Sequence, residues 1–166
     1  MTPTPTPGGG VGEDGGFEYR VLSNGTALIT GYTGYGGDLS IPMMLDGYSV
    51  SGIGDGAFRG NSSIRSVKIT GSGWIGESAF EGCSNLTKIR IEGMITGVAS
   101  RAFAGNRSLS EITVTGMFFQ VQPDIFSDCG SLTDAYVSGM IDMSVQTAFK
   151  NCPSLTNIQI TGLVGW

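Results

Sequence analysis

Leu86-Thr87-Lys88-Ile89-Arg90-Ile91 decides the fold, because its pattern occurs five times along the chain. It returns as Ile64-Arg65-Ser66-Val67-Lys68-Ile69, Leu109-Ser110-Glu111-Ile112-Thr113-Val114, Leu132-Thr133-Asp134-Ala135-Tyr136-Val137 and Leu155-Thr156-Asn157-Ile158-Gln159-Ile160. The leading apolar residues stand at 64, 86, 109, 132 and 155, one step of 22 residues followed by three of 23. A phenylalanine keeps the same beat at Phe58, Phe80, Phe103, Phe126 and Phe149. So does a glycine, at Gly71, Gly93, Gly116, Gly139 and Gly162. Three residue classes locked to one period describe a unit that stacks on copies of itself.

A period of roughly 20–29 residues carrying L-x-x-L-x-L reads as a leucine-rich-repeat solenoid. The expected fold is an α/β-type repeat solenoid dominated by short β-strands. It is a right-handed coil with a parallel β-sheet and an N-terminal β-hairpin cap. In each turn, the first and third apolar residues of V-x-I point inward and the intervening ones outward. Glycine then turns the chain, and a second apolar pair follows, as in Ile95 and Val98 or Phe118 and Val121. A short Ala-Phe turn plugs the back of the coil. The column Asn61, Cys83, Asn106, Cys129, Cys152 reads as a small buried side chain that bonds loop backbone groups.

The chain divides into three parts. Residues 1–16, rich in Pro, Thr and Gly, cannot build a core and read as a disordered linker. They contain a formal G-x-G-x-x-G at Gly10, Gly12 and Gly15. It lacks the strand before and the helix after that a dinucleotide site requires, and Glu13 and Asp14 would repel a pyrophosphate. Residues 17–47 read as an N-terminal β cap. Phe17–Leu22 and Ala27–Thr30 flank an Asn24-Gly25 hairpin turn, and Leu39-Ser40-Ile41 imitates a repeat strand. Residues 48–166 then hold about five repeats. In the last one Ser144 takes the slot of Val98 and Val121, and either Trp166 closes the end or the solenoid is cut at Val164.

Composition narrows function. At 166 residues the prior is one domain plus a tail. The 28 glycines and 6 prolines stay below the level of unstructured chains and suit a tight turn in every repeat. A net charge of −5 argues against a nucleic-acid partner, which needs a basic footprint. No run of about 18 apolar residues offers a membrane span. The absence of histidine removes Ser-His and Cys-His nucleophiles and histidine metal sites, so neither catalytic residues, metal nor cofactor is expected. Cys129 and Cys152 are one strand spacing apart, which permits a disulfide, although buried free thiols are the simpler reading. Glu77 with Glu81, and Asp124 with Asp128, are the carboxylate pairs a glycosidase would need. Their place on convex turns reads as ordinary solvated acid. Four Asn-x-Ser/Thr triplets, at Asn24, Asn61, Asn85 and Asn106, read as turn chemistry rather than glycosylation.

Ile75-Gly76-Glu77-Ser78-Ala79-Phe80-Glu81-Gly82-Cys83-Ser84-Asn85-Leu86-Thr87-Lys88-Ile89-Arg90-Ile91 resembles the BspA-like, Treponema-type leucine-rich repeat. That motif runs roughly I-G-x-x-A-F-x-x-C-x-x-L-x-x-V-x-I. The entry residues Ile41-Pro42, Asp46-Gly47-Tyr48, Val50 and Ile53-Gly54-Asp55-Gly56-Ala57-Phe58 resemble the start of such domains, so the likeness covers residues 17–166. Two departures stand out. The usual proline after the strand is Glu92, Thr115, Ser138 or Thr161, and the alanine of Ala57 type becomes Ile125. The resemblance implies a non-catalytic protein of a bacterial surface or secreted fraction, its leader removed ahead of the Thr-Pro run. It also implies a protein partner, in the host matrix or on another cell. A structural spacer, holding a further module away from the cell surface, is the alternative.

Two surfaces are candidates for the site. The first is the outward strand face, represented by Lys68, Lys88, Arg90, Glu111, Thr113, Asp134 and Tyr136. Residues 51–107 carry seven basic against four acidic side chains, and residues 108–166 one against five. The face therefore runs from basic to acidic, with Lys68, Lys88 and Arg90 expected in one patch and Glu111 and Asp134 in another. Such a gradient suits a protein partner, though any solenoid keeps its exposed sheet polar. The second is the rim formed by Trp74, Met94, Met117, Phe119 and Met140. It is either an exposed apolar ridge or a set of side chains folded over the edge and buried.

Overall fold

The computed structural model describes residues 11–141 and 145–162. In chain order the elements are β1 (Val11–Asp14), β2 (Phe17–Val21), β3 (Ala27–Tyr32), β4 (Gly37–Ile41), β5 (Met44–Leu45), β6 (Tyr48–Ile53), β7 (Ile64–Ile69), β8 (Ser72–Ile75), β9 (Lys88–Val98), β10 (Glu111–Phe118), β11 (Asp134–Ile141), α1 (Val145–Ala148) and β12 (Asn157–Thr161). Helix among the described residues is confined to the four residues of α1. The fold is a β-solenoid.

The V-x-I segments build one parallel ladder from β4, β7, the first half of β9, β10, β11 and β12. Ser40, Lys68, Arg90, Thr113, Tyr136 and Gln159 stand in a single row across it. Five of these rungs are the ones the sequence period anticipates. The sixth, β4, lies within the expected cap, 17–47; its Leu39 and Ile41 pair with Val67 and Ile69, so it is also the first rung of the ladder. Inside, Val67, Ile89, Ile112 and Ala135 are buried, as are Ile69, Ile91, Val114 and Val137. The period-2 alternation of a strand produces this split without further help.

A second parallel ladder, formed by β3, β6, β8 and the far halves of β9 and β10, lies past a bend. The long strands cross the bend unbroken at Gly93, Gly116 and Gly139, where φ is 134, 132 and 120°. That region disfavours any residue with a Cβ. Stacking forbids one as well, because a Cβ on Gly116 or Gly139 would strike the carbonyl oxygen of the glycine one rung earlier.

The back of the coil is closed by a column of phenylalanines. Successive rings of Phe58, Phe80, Phe103, Phe126 and Phe149 stack with centroids 4.5, 5.3, 5.3 and 5.4 Å apart. The hairpin β2–β3 extends the column, with Phe17 and Tyr32 6.3 and 5.9 Å from Phe58. Gly25 takes its positive φ at the hairpin tip, as the Asn-Gly pair predicts. Beside the rings runs the Asn/Cys column. Asn106 donates to the carbonyls of Phe80 and Phe103, and its Oδ1 accepts from the Cys83 amide at 2.7 Å. The thiols of Cys83 and Cys152 donate to Phe58 O and Phe126 O, both at 3.1 Å.

The reading of residues 1–16 as one linker needs correction over its last third. Val11–Asp14 form β1, antiparallel to β2. Gly12-Glu13-Asp14 offers no apolar alternation, so the sequence carries no strand signal here, and the strand is held by the neighbouring edge. Residues 1–10 lie outside the described residues, as do Ser144, Val164 and Trp166.

Two outcomes follow. Phe103 is fully buried between Phe80 and Phe126. Phe103→Ala should therefore cost roughly 3–5 kcal/mol in denaturant unfolding. On the convex side, Glu81 accepts from Arg101 at 2.7 Å and lies 3.5 Å from Arg59. A bond from Ser78, with help from Arg101, holds its carboxyl below the ordinary 4.5. A depressed folded-state pKa adds stability above the unfolded value and loses it as pH falls through the folded one. Glu81→Gln should thus lower Tm at pH 7, and the gap from wild type should close as the pH falls below the ordinary glutamate value and through the lowered one.

Candidate functional site

The repeat presents two outer surfaces, one on each ladder, meeting at the glycine bend. On the first ladder the expected charge patches are absent as separate bodies. Lys88 pairs with Glu111 at 3.2 Å, since the two are register partners on β9 and β10. Lys68 and Arg90 both reach Glu92, at 3.3 and 3.8 Å. Residues 22 or 23 apart in sequence are neighbours here, so the basic and acidic ends interlock. Glu92, met in the sequence only as the residue replacing the usual proline, is not among the expected site residues; its pairing with Lys68 shows only when rungs are stacked.

At the acidic end, Asp134 accepts from Thr133 Oγ1 at 2.6 Å, Asn157 Nδ2 at 3.0 Å and the Tyr136 hydroxyl at 3.5 Å. These donors, led by Thr133, hold its carboxyl below the usual carboxylate range. Tyr136 also accepts from Asn157 at 3.3 Å. Thr113 lies in the row between Arg90 and Tyr136, half-buried. The face is a connected polar lattice, with its carboxylates occupied internally.

The second ladder differs. Met94, Met117 and Met140 are register partners on β9, β10 and β11. Met94 and Met140 are 46% and 48% exposed, and Met117 is half-buried. Phe119 and Trp74 are also exposed. Of the two readings of the rim, the exposed ridge fits: the side chains face out because the buried side of the strand is taken by Ile95 and Phe118. The indole of Trp74 lies over Gly97, where any Cβ would collide with it. Strand β8 is thereby clamped to β9 from outside.

The other expected chemistry resolves into structure. Glu81 is held by two arginines, and Asp128 lies 3.7 Å from Arg101 and accepts from Asn151. Asn24 accepts from Thr26, Asn61 from Ser63, and Asn85 donates to Ser62 O. The first two are contacts within a turn, and the third ties the turns of two successive coils. Cys83, Cys129 and Cys152 are free thiols. Burial pushes Cys83 up to about 11. Cys129 is raised by its contact with Cys152 and by burial. Among the described residues, no group of three or more His, Cys, Asp or Glu could hold a metal ion, and no helix is long and apolar enough to cross a membrane.

Comparison with known proteins agrees with this geometry. A family model described as "BspA type Leucine rich repeat region" matches residues 51–165 in six copies. The T. pallidum leucine-rich repeat protein is similar at 24% identity and a TM-score of 0.63, over 89% of this chain and 83% of that one. A leucine-rich repeat protein from Bacteroides capillosus is similar at 21% identity and 0.59, over 76% and 96%. A leucine rich cell surface protein from Faecalibacterium prausnitzii is similar at 22% and 0.54, over 98% and 56%. At these identities the likeness speaks for the fold. No curated protein matches the sequence.

The exposed ion pairs of the first ladder should matter little to folding, since such pairs contribute about 0–1 kcal/mol. Replacing Lys88 and Arg90 together by Ala should leave the denaturation midpoint almost unmoved. A large loss would show that the polar lattice holds the coils together.

Proposed function

We propose, since the chain belongs to the BspA-type leucine-rich-repeat family, that it is a non-catalytic protein-binding module working outside the cell in adhesion. The ridge Trp74, Met94, Met117, Phe119 and Met140 is its principal contact surface. Lys68, Lys88, Arg90, Glu111, Thr113, Asp134 and Tyr136 form a polar flank beside it. The observation that carries this reading is the ridge. Large apolar side chains are exposed in adjacent rungs rather than singly, and contiguous exposed apolar surface marks interaction sites. Methionine adapts its shape to different partners, and aromatic residues supply much of the energy in interfaces.

The strand face takes second place because its charges already satisfy one another. A partner lying there must displace the Lys88–Glu111 and Lys68–Glu92 pairs, so it gains orientation more than affinity. The surface location is supported by the family and by the cell surface protein of F. prausnitzii that shares the fold.

The test is a binding screen of the whole chain against immobilised extracellular-matrix proteins and intact cells. Wild type should bind at least one partner, with Kd on the order of micromolar. Replacing Met94, Met117 and Met140 by Ser should weaken it about tenfold or more, with Tm held. Reversing Lys88 and Arg90 to Glu should change mainly the association rate and its salt dependence. If the charge reversal abolishes binding and the Ser variant does not, the strand face is the site. If wild type binds nothing in the screen, the spacer reading replaces this one.

A further inference from the structure

The single short step of the repeat leaves a mark on the structure. Along β8 and β9, Ser72 pairs with Met94 and Gly73 with Ile95, and then the register jumps so that Trp74 meets Gly97. Thr96 has no counterpart, so the residue missing from the 22-residue turn is missing here. In the next two coils, the inner position after the bend is filled by buried Ile95 and Phe118, which are register partners. In the short coil Gly73 stands there. No side chain can be restored, because φ is 132° and a Cβ would strike the carbonyl of Ser51.

The absent plug leaves a cavity of about 410 Å³. Buried Ile53, Ile69 and Ile95 contribute to its walls. Met43 and Met44, 63% and 56% exposed, and Trp74 form its mouth. The volume falls within the roughly 300–1,000 Å³ of pockets that bind ligands.

We propose that this cavity is the anchor site for one bulky apolar side chain of the protein partner, presented beside an acidic residue. The proposal rests on the protein-binding reading above. Two observations select this occupant over a free small molecule. The lining residue Ser72 is the register partner of Met94, so the mouth opens onto the start of the methionine row. A free molecule would fill the hollow and leave that row bare; a protein covers both. Next to the wall residue Ile69, Lys68 shares the one carboxylate of Glu92 with Arg90. Within this group two cations meet one anion, and Asp38 on the preceding rung is bonded by Ser66, so the group itself carries positive charge that complements an acid flanking the anchor. Interface energy concentrates in such filled pockets, and methionines at the mouth adjust to the side chain that enters.

The probes are three capped tripeptides: phenylalanine between two glutamates, serine between two glutamates, and phenylalanine between two lysines. Binding is read from Trp74 fluorescence in a Trp166→Phe background. The glutamate-flanked phenylalanine peptide should bind saturably. The serine peptide should bind about tenfold more weakly or worse, for want of a buried ring, and the lysine-flanked one more weakly at low salt only. Gly71→Leu fills the cavity from its edge. A Cβ there meets only Met43 Cγ, at 3.9 Å, so the variant should keep its Tm and lose the phenylalanine peptide. Met43→Ser with Met44→Ser, at exposed positions, should weaken it severalfold even if Gly71→Leu proves unstable.

Equal response to the phenylalanine and serine peptides overturns the proposal. So does undiminished binding by these variants, or full displacement by octanoate at equal concentration, which marks a fatty-ligand site. Self-association that Gly71→Leu abolishes makes a second copy the occupant and overturns it too. Failure of the protein-binding reading is separate: the screened partners are then not bound while the phenylalanine peptide still is.

Discussion

Everything in this molecule depends on carbonyl oxygens occupying the place where a Cβ would be. At the bend between the two ladders, the backbone of each coil sits so close to the next that Gly93, Gly116 and Gly139 admit no side chain. Rungs spaced at about 4.8 Å require that contact to repeat without error. Once it does, the rest is forced into columns. Inner aliphatics meet inner aliphatics, rings stack on rings at 4.5–5.4 Å, and the Asn/Cys column bonds the carbonyls left by the turn. A side chain at the bend would push two coils apart and break every column at that height.

The columns explain how much the sequence discloses. Period, strand face, ring stack and bend each repeat, so a single reading of Leu86–Ile91 and its echoes recovers them. What escaped is what does not repeat. β1 has no apolar beat, because Val11–Asp14 are held by the edge of β2. The ladder's first rung, β4, lacks the phenylalanine turn that marks the others, so Leu39–Ile41 reads as an imitation of a repeat strand within the cap, and its place in the ladder shows only in the register. Glu92 was visible as a residue, and Arg90 stands two places before it on the same strand, but its partner Lys68 lies a rung away, where sequence alone does not show the pairing. The cavity was written in the 22-residue step. Which residue had been lost, and that Gly73 thereby replaced a buried side chain, becomes legible only when register is known.

The two outer surfaces differ in how their side chains are occupied. The polar ladder face consumes its charges in Lys88–Glu111 and in the group around Glu92, and this keeps a sheet of exposed strands soluble. The far face, beyond the bend, carries methionines and aromatics whose inner neighbours already fill the core. Nothing in the folding of the coil asks Met94, Met140 or Phe119 to be apolar. Their exposure is unexplained by packing, and this directs attention to partners.

The bend glycines also bear on how such a chain changes over generations. Because every coil offers its neighbours the same contact surface, a 23-residue unit duplicated or lost by recombination reseats its flanks without repair, while its outer columns bring new side chains to the surface. The short coil does not share this freedom. Copied, it would set a second Gly73 beside the first and hollow the core over two rungs; deleted, it would take the cavity with it.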